Sequence, residues 1–266
     1  MLSDITSLTF SSGVYYQSPS YIWLAADESN KNLKAIRTDQ FIFGVEHKLR
    51  EDIRFKLEGF YKKYSNYPTS LSRPYLVLAN TGAGYGGVED NFGSFGLEQL
   101  TSEGIGNVRG LEFSMQKKSS AVSHYALLSV TYSEANFTAL DGVERPSSYD
   151  QTWIVNISAG YYFSDKWQSS IKFRLATGNP YTPYQNDGTQ LVDNYNTKRL
   201  NVLHSLDIRI DRKWNFEGWS LITYLDIQNI YNRKNSNSIR WNYREGKLDD
   251  QSSIGILPSI GISVEF

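Results

Sequence analysis

The C-terminal stretch reads Leu257-Pro258-Ser259-Ile260-Gly261-Ile262-Ser263-Val264-Glu265-Phe266. Ile256, Ile260, Ile262, Val264 and Phe266 share one parity; Ser259, Gly261, Ser263 and Glu265 share the other. Successive side chains of an extended strand point to opposite faces, so this pattern predicts a strand with one apolar and one polar face. The period recurs upstream. Leu206, Ile208 and Ile210 alternate with Asp207, Arg209 and Asp211, and Ile171, Phe173 and Leu175 with Lys172 and Arg174. Phe55 and Leu57 alternate with Arg54, Lys56 and Glu58, and Leu111, Phe113 and Met115 with Glu112 and Ser114. Ala126, Leu128, Val130 and Tyr132 alternate with Ser129, Thr131 and Ser133, with Leu127 breaking the pattern.

Strands are predicted at 6–17, 35–49, 53–65, 104–117, 122–135, 151–163, 167–177, 202–213, 219–243 and 252–266. Several exceed the usual ~5–6 residues of a soluble sheet and reach the ~9–11 that cross a bilayer when tilted. The links alternate in length. Arg50–Asp52, Lys117–Ala121, Ser164–Lys166 and Trp214–Gly218 are tight; Ser18–Leu33, Ser65–Glu103, Asn136–Asp150 and Gly178–Asn201 are long and polar. Short periplasmic turns and long outer loops define an outer-membrane barrel. With Phe266 in the periplasm, parity favours 219–243 as a single ascending strand, its Tyr231–Asn235 segment a bulge or kink; two strands over the same residues is the open alternative. The fold class expected is all-β: a partial antiparallel transmembrane β-barrel of about ten strands.

Composition is consistent with this. Lys+Arg 27 against Asp+Glu 28 leaves no field to recruit nucleic acid. The absence of Cys excludes a disulfide framework, thiolate metal site or Cys nucleophile. Mean hydropathy is −0.45, and no apolar run is long enough for a membrane helix; barrels escape that test because only alternate residues meet lipid. Aromatics reach 14 %, led by Tyr. Trp153, Trp167, Trp214, Trp219 and Trp241 lie near predicted strand ends, where they suit a girdle at the membrane interface; the alternative is ordinary packing within a sandwich core.

Four segments in this order resemble the C-terminal barrel part of TonB-dependent outer-membrane receptors, in the form seen in Bacteroidota-type bacteria. They are Gly13–Tyr21 leading to Asn32-Leu33-Lys34; Phe43–His47 followed by Phe55–Tyr61; Gly106–Phe113; and Tyr224–Arg233 closing with Leu257–Phe266. The resemblance spans nearly the whole chain, and the terminal Phe266 is similar to the signal read by the barrel assembly machinery. It implies a bacterial outer-membrane location and a 22-stranded barrel filled by a plug. It also implies uptake of a scarce solute such as a siderophore, vitamin or glycan, energised through TonB. The expected partners are outer-membrane lipid, the plug and remaining strands, the TonB complex through the plug region, and the assembly machinery. Neither a plug nor an export signal is seen in 1–266, so the chain is expected to be a barrel fragment.

Tyr75, Tyr85, Phe92, Tyr181, Tyr184 and Tyr195, with Gln185, fall on predicted outer loops and form the candidate solute-binding set; loop self-packing is the competing reading. Arg54, Lys56, Glu58, Glu112, Lys172, Arg174, Asp207 and Arg209 share the polar parity, where hydration and cross-strand pairing explain them more simply than solute guidance. Arg109 shares the apolar parity of Leu111 and Phe113 and is expected to snorkel at an interface. No catalytic, cofactor or metal set is expected: Ser123–His124 and His204–Ser205 are strand neighbours facing opposite ways. A self-contained small barrel serving as pore or adhesin, and a glycan-binding β-sandwich, remain as alternatives.

Overall fold

The computed structural model describes residues 5–80, 84–85, 94–95, 97–119 and 123–266, with 84–85 and 94–95 described by backbone alone. Ten long strands carry the fold: β1 Thr6–Gln17, β2 Ile36–Arg50, β3 Ile53–Ser70, β4 Leu100–Lys117, β5 His124–Thr138, β6 Trp153–Ser164, β7 Trp167–Ala176, β8 Leu203–Phe216, β9 Trp219–Gln228 and β10 Leu257–Glu265. Each pairs antiparallel with its sequence neighbour, giving one up-and-down sheet in the order β1 to β10. A short segment, Glu144–Pro146, adds to the far end of β5.

Tight links join β2 to β3, β6 to β7 and β8 to β9, the last with Gly218 at φ 80°. Asp52 anchors that end of the sheet: its carboxylate accepts from Lys117 Nζ at 2.8 Å and its carbonyl from the Lys118 N–H at 2.8 Å. At the opposite end lie the long loops, including a short helix Tyr21–Ala26 and a hairpin of Ser236–Asn242 with Lys247–Ser252.

The sheet is a partial barrel and does not close. Among the described residues β1 pairs only with β2 and β10 only with β9. It is therefore neither the self-contained ten-stranded barrel nor a sandwich, since among the described residues no second large sheet packs behind it.

One expected strand is corrected. Residues 219–243 are not a single bulged strand: β9 ends at Gln228, and β10 starts at Leu257 rather than 252. The stop is written in asparagines. Asn229 and Asn232 hold φ 50° and 56°, a left-handed conformation that Asn tolerates better than most residues. Asn229 ties the turn in both directions, donating to the Arg233 carbonyl at 2.7 Å and accepting from its N–H at 3.0 Å. Asn235 then stands in for a strand partner. Its side chain accepts from the His204 N–H at 3.1 Å and donates to the His204 carbonyl at 3.0 Å. Parity survives, because the hairpin 236–252 stays at the loop end and β10 returns to the turn end.

Candidate functional site

Cross-strand register sorts side chains into two faces. Leu8, Val45, Leu57, Phe113, Val130, Val155 and Leu175 sit opposite one another in sequence along one row. The adjacent row, one residue along each strand, is Ser7, Glu46, Lys56, Ser114, Ser129, Asn156 and Arg174 on the other face. Among the described residues nothing covers the apolar face: Phe10, Phe43, Leu57, Leu111, Ile171, Ile210 and Ile262 are all exposed. Leu127, which broke the alternation, lies on the polar face opposite Gln116 and Ser158.

The apolar face has aromatic ends. At the loop end Trp153 lies against Tyr132, ring centroids 5.0 Å apart. At the turn end Trp167, Trp214 and Trp219 are exposed, and Phe216 stacks on Trp219 at 4.2 Å. From Trp153 to Phe163 along β6 is ten residues, which at ~3.3 Å each and ~40° tilt gives a band of about 25 Å. Arg109 lies at the loop end of this face, with Glu134 2.7 Å away. Phe266 follows β10 on the same parity as Ile262 and Val264, fully exposed. Trp241 does not belong to this set. It is buried in the loop hairpin beside Tyr184 and over Gly188, whose φ of 82° and lack of a side chain leave room for the indole.

The polar face pairs its charges. Lys56 meets Glu58 at 2.7 Å, Arg54 meets Glu46 at 3.7 Å, and Arg209 meets Asp211 at 2.6 Å while covering the Tyr224 ring at 3.8 Å. Lys172 stands opposite Asp207. Solvated pairs of this kind contribute at most about 1 kcal/mol each. Near the turn end a cavity of about 320 Å³ is lined by Tyr125, Tyr162, Gln168, Arg209, Asp211 and Lys213.

The loops form a packed cap. Val77 folds onto Phe137 and Ala139, with Tyr64 and Tyr67 around it, at the loop end of the polar face. Asn30, fully buried, joins two loops: it donates to the carbonyls of Trp23 (2.9 Å) and Glu98 (2.8 Å) and accepts from the Leu100 N–H (2.8 Å). Asp150, also buried, receives Arg199 at 2.5 Å and the Ala135 N–H at 2.9 Å. Asn196 donates to the Pro146 carbonyl and to Ser148, both at 3.0 Å. Glu98 accepts from Arg73, Ser72 and Ser70. Burial pushes its carboxyl upward, but these hydrogen bonds and the Arg73 charge outweigh it and hold the group below its ordinary value.

Within this cap three of the candidate binding residues converge. Tyr75 and Tyr195 lie with ring centroids 5.3 Å apart, and with Tyr181 they line a cavity of about 320 Å³ that also touches Arg73, Asn80, Ser148, Gln190 and Asn196. Burial raises the Tyr195 hydroxyl above its ordinary value, partly offset by hydrogen bonds with Ser148 and Asn80. Tyr184 is not in this group; it faces Trp241. Phe92 and the Tyr85 side chain lie outside the described residues. The loop asparagines Asn30, Asn80 and Asn196, and the Asp150–Arg199 clamp, were missed because long-range side-chain-to-backbone bonds leave no periodic trace.

An open, meandering wall of long antiparallel strands, apolar on one face and polar on the other with long loops gathered at one end, is the class of the large outer-membrane β-barrel. The sequence profile of the TonB-dependent receptor β-barrel matches residues 1–243, and the chain belongs to that family. The family is one of outer-membrane receptors. Among solved structures, the ferric-catecholate import receptor Fiu of E. coli K12 aligns with a TM-score of 0.65 at 12 % identity, over 99 % of this chain and 33 % of that one. The ferric citrate transporter FecA aligns at 0.70 and 10 %, over 100 % and 37 %. The siderophore receptor PiuA of Acinetobacter baumannii aligns at 0.64 and 12 %, over 98 % and 34 %. The chain thus spans about a third of the length of these structures. No functionally curated protein matches it by sequence.

Proposed function

We propose that this chain supplies part of the wall and outer mouth of an active outer-membrane receptor that captures a scarce solute and passes it inward with energy delivered through TonB. The observation that carries the proposal is the one-residue separation between an unpacked apolar face and a polar, charge-paired face, on a sheet whose two edges are open. In hydrocarbon every unpaired backbone group costs several kcal/mol, so further strands are required to meet β1 and β10. The polar face is then a lumen wall, and the cavity at Tyr125, Tyr162 and Arg209 suits the docking of a plug. The outward aromatics, Trp153 at one end and Trp167, Trp214 and Trp219 at the other, become interface girdles, and Phe266 the assembly signal. The solute is first met at Tyr75, Tyr181 and Tyr195, where aromatic faces stand beside neutral amides and hydroxyls.

The test is uptake in a bacterium lacking its own copy of the receptor and supplied with the receptor carrying this chain. Growth on one limiting solute should require both the receptor and an intact TonB motor. Tyr195→Ala should weaken uptake about tenfold, the loss expected for one stacked aromatic contact of ~1–1.5 kcal/mol. Uptake that persists without the motor would point to a passive pore instead.

A further inference from the structure

Arg212 stands on the apolar parity of β8, between Ile210 and Trp214, opposite Trp167 of β7 and Thr223 of β9. Its guanidinium carbon lies 3.6 Å from the Trp214 ring centroid and 5.1 Å from that of Trp167. Trp214 is oriented for this: its Nε1 donates to Thr223 Oγ1 at 3.1 Å. The clasp holds a cation that is left unneutralised among the described residues. Arg212 Nε is buried without an acceptor, and no carboxylate among the described residues pairs with the guanidinium. The neighbouring Asp211 faces the other side and is taken by Arg209. Arg109, at the opposite end of the same face, has Glu134.

Trp214 lies nearer the turn than Arg212 does, so an arginine laid on its ring extends toward the turn end of the sheet. There the aromatic band gives way to polar turns, the depth at which lipid phosphates lie beside interfacial tryptophans. A planar fork of N–H donors matches phosphate oxygens, and the two rings lie against the guanidinium itself, whose Nε is shielded from water. We propose that Arg212, clasped between Trp167 and Trp214, binds the headgroup phosphate of a phospholipid in the leaflet at the turn end of the barrel. This rests on the reading, given above, that lipid covers the apolar face.

The test uses the receptor carrying this chain, purified in detergent and examined by native mass spectrometry. The probes are phosphatidylglycerol, diacylglycerol of the same chains, and inorganic phosphate; folding is checked by heat-modifiable gel mobility. The wild type should retain one more phosphatidylglycerol than Arg212→Gln, at a concentration about tenfold lower, with Arg212→Lys intermediate. Diacylglycerol should not distinguish the proteins, and millimolar inorganic phosphate should not displace the lipid. Equal phosphatidylglycerol retention by wild type and Arg212→Gln, or by wild type and Arg212→Lys if the glutamine variant does not fold, would overturn the assignment. So would a diacylglycerol preference for wild type; displacement by inorganic phosphate would overturn its lipid part. Quenching of tryptophan fluorescence by chain-brominated lipids separates the two readings. Its absence in wild type means that lipid does not cover this face, whereas quenching with Arg212-independent retention sinks this inference alone.

Discussion

Leu57 and Ser129 lie on two neighbouring rows of the same wall, one residue apart in phase, and their surroundings are opposite. The Leu57 row runs Val45, Leu57, Phe113, Val130; the Ser129 row runs Glu46, Lys56, Ser114, Ser129. Backbone hydrogen bonding is the same for both, so the difference lies in what covers the side chains. A soluble sheet buries its apolar row in a core. Here Leu57 is exposed and Val45, Phe113 and Val130 are only half-buried in the isolated chain, and a one-residue slip in register would exchange the two faces completely.

The largest expected effect sharpens this contrast. Leu57→Arg should destabilise the receptor in lipid by about 2–4 kcal/mol, the cost of a cation near the middle of a barrel's lipid face. Ser129→Arg should change stability by less than about 1 kcal/mol because the polar face hydrates the charge. Urea unfolding in vesicles measures both, and equal costs would break the comparison.

The contrast was legible in the sequence because period two is written in every strand. The eight charged positions expected on the polar face, Arg54 through Arg209, all fall there in the register. Arg109 likewise falls on the apolar side, at its loop end. What was not legible lies where the ladder stops. Trp241 looked like a girdle residue because it sits in an alternating run, but that run is a loop hairpin folded over Gly188. Nothing in local hydropathy separates a spanning strand from a hairpin of the same period. The signal was in Asn229 and Asn232, whose left-handed backbone ends β9. The three convergent tyrosines, from loops far apart in sequence, were identified singly, but their meeting depends on polar clamps that have no period.

The clamps give the next predictions. Asp150→Ala should cost about 2 kcal/mol, below the 3–5 of a fully buried pair because Arg199 is about a third exposed. The loss should appear as faster proteolysis of the 139–152 and 177–202 loops, with the wall protected. Asn229→Ala should cost about 1–2 kcal/mol through the unsatisfied Arg233 backbone groups and the left-handed φ. Asn229→Gly, which relieves only the backbone strain, should recover part of it in the same unfolding assay.

The smallest effect is a pH dependence. Because hydrogen bonds and Arg73 hold the Glu98 carboxyl below its ordinary value of 4.5, its contribution is fully present above that value. It is lost as pH falls through the lowered one. Hydrogen exchange at the Leu100 amide should therefore show less protection in acid, once the intrinsic rate is corrected for, and Glu98→Gln should flatten this dependence.

The most direct test of the account is collision accessibility along β4. This chain contributes no cysteine, so single spin labels are placed at 111 through 116 of a receptor freed of any cysteine elsewhere, in a bilayer. If lipid covers the apolar face, oxygen accessibility peaks at 111, 113 and 115, and accessibility to a water-soluble nickel reagent is higher at 112, 114 and 116. Loss of that alternation, or protection of 111, 113 and 115 from both reagents, would mean that protein rather than hydrocarbon covers these side chains.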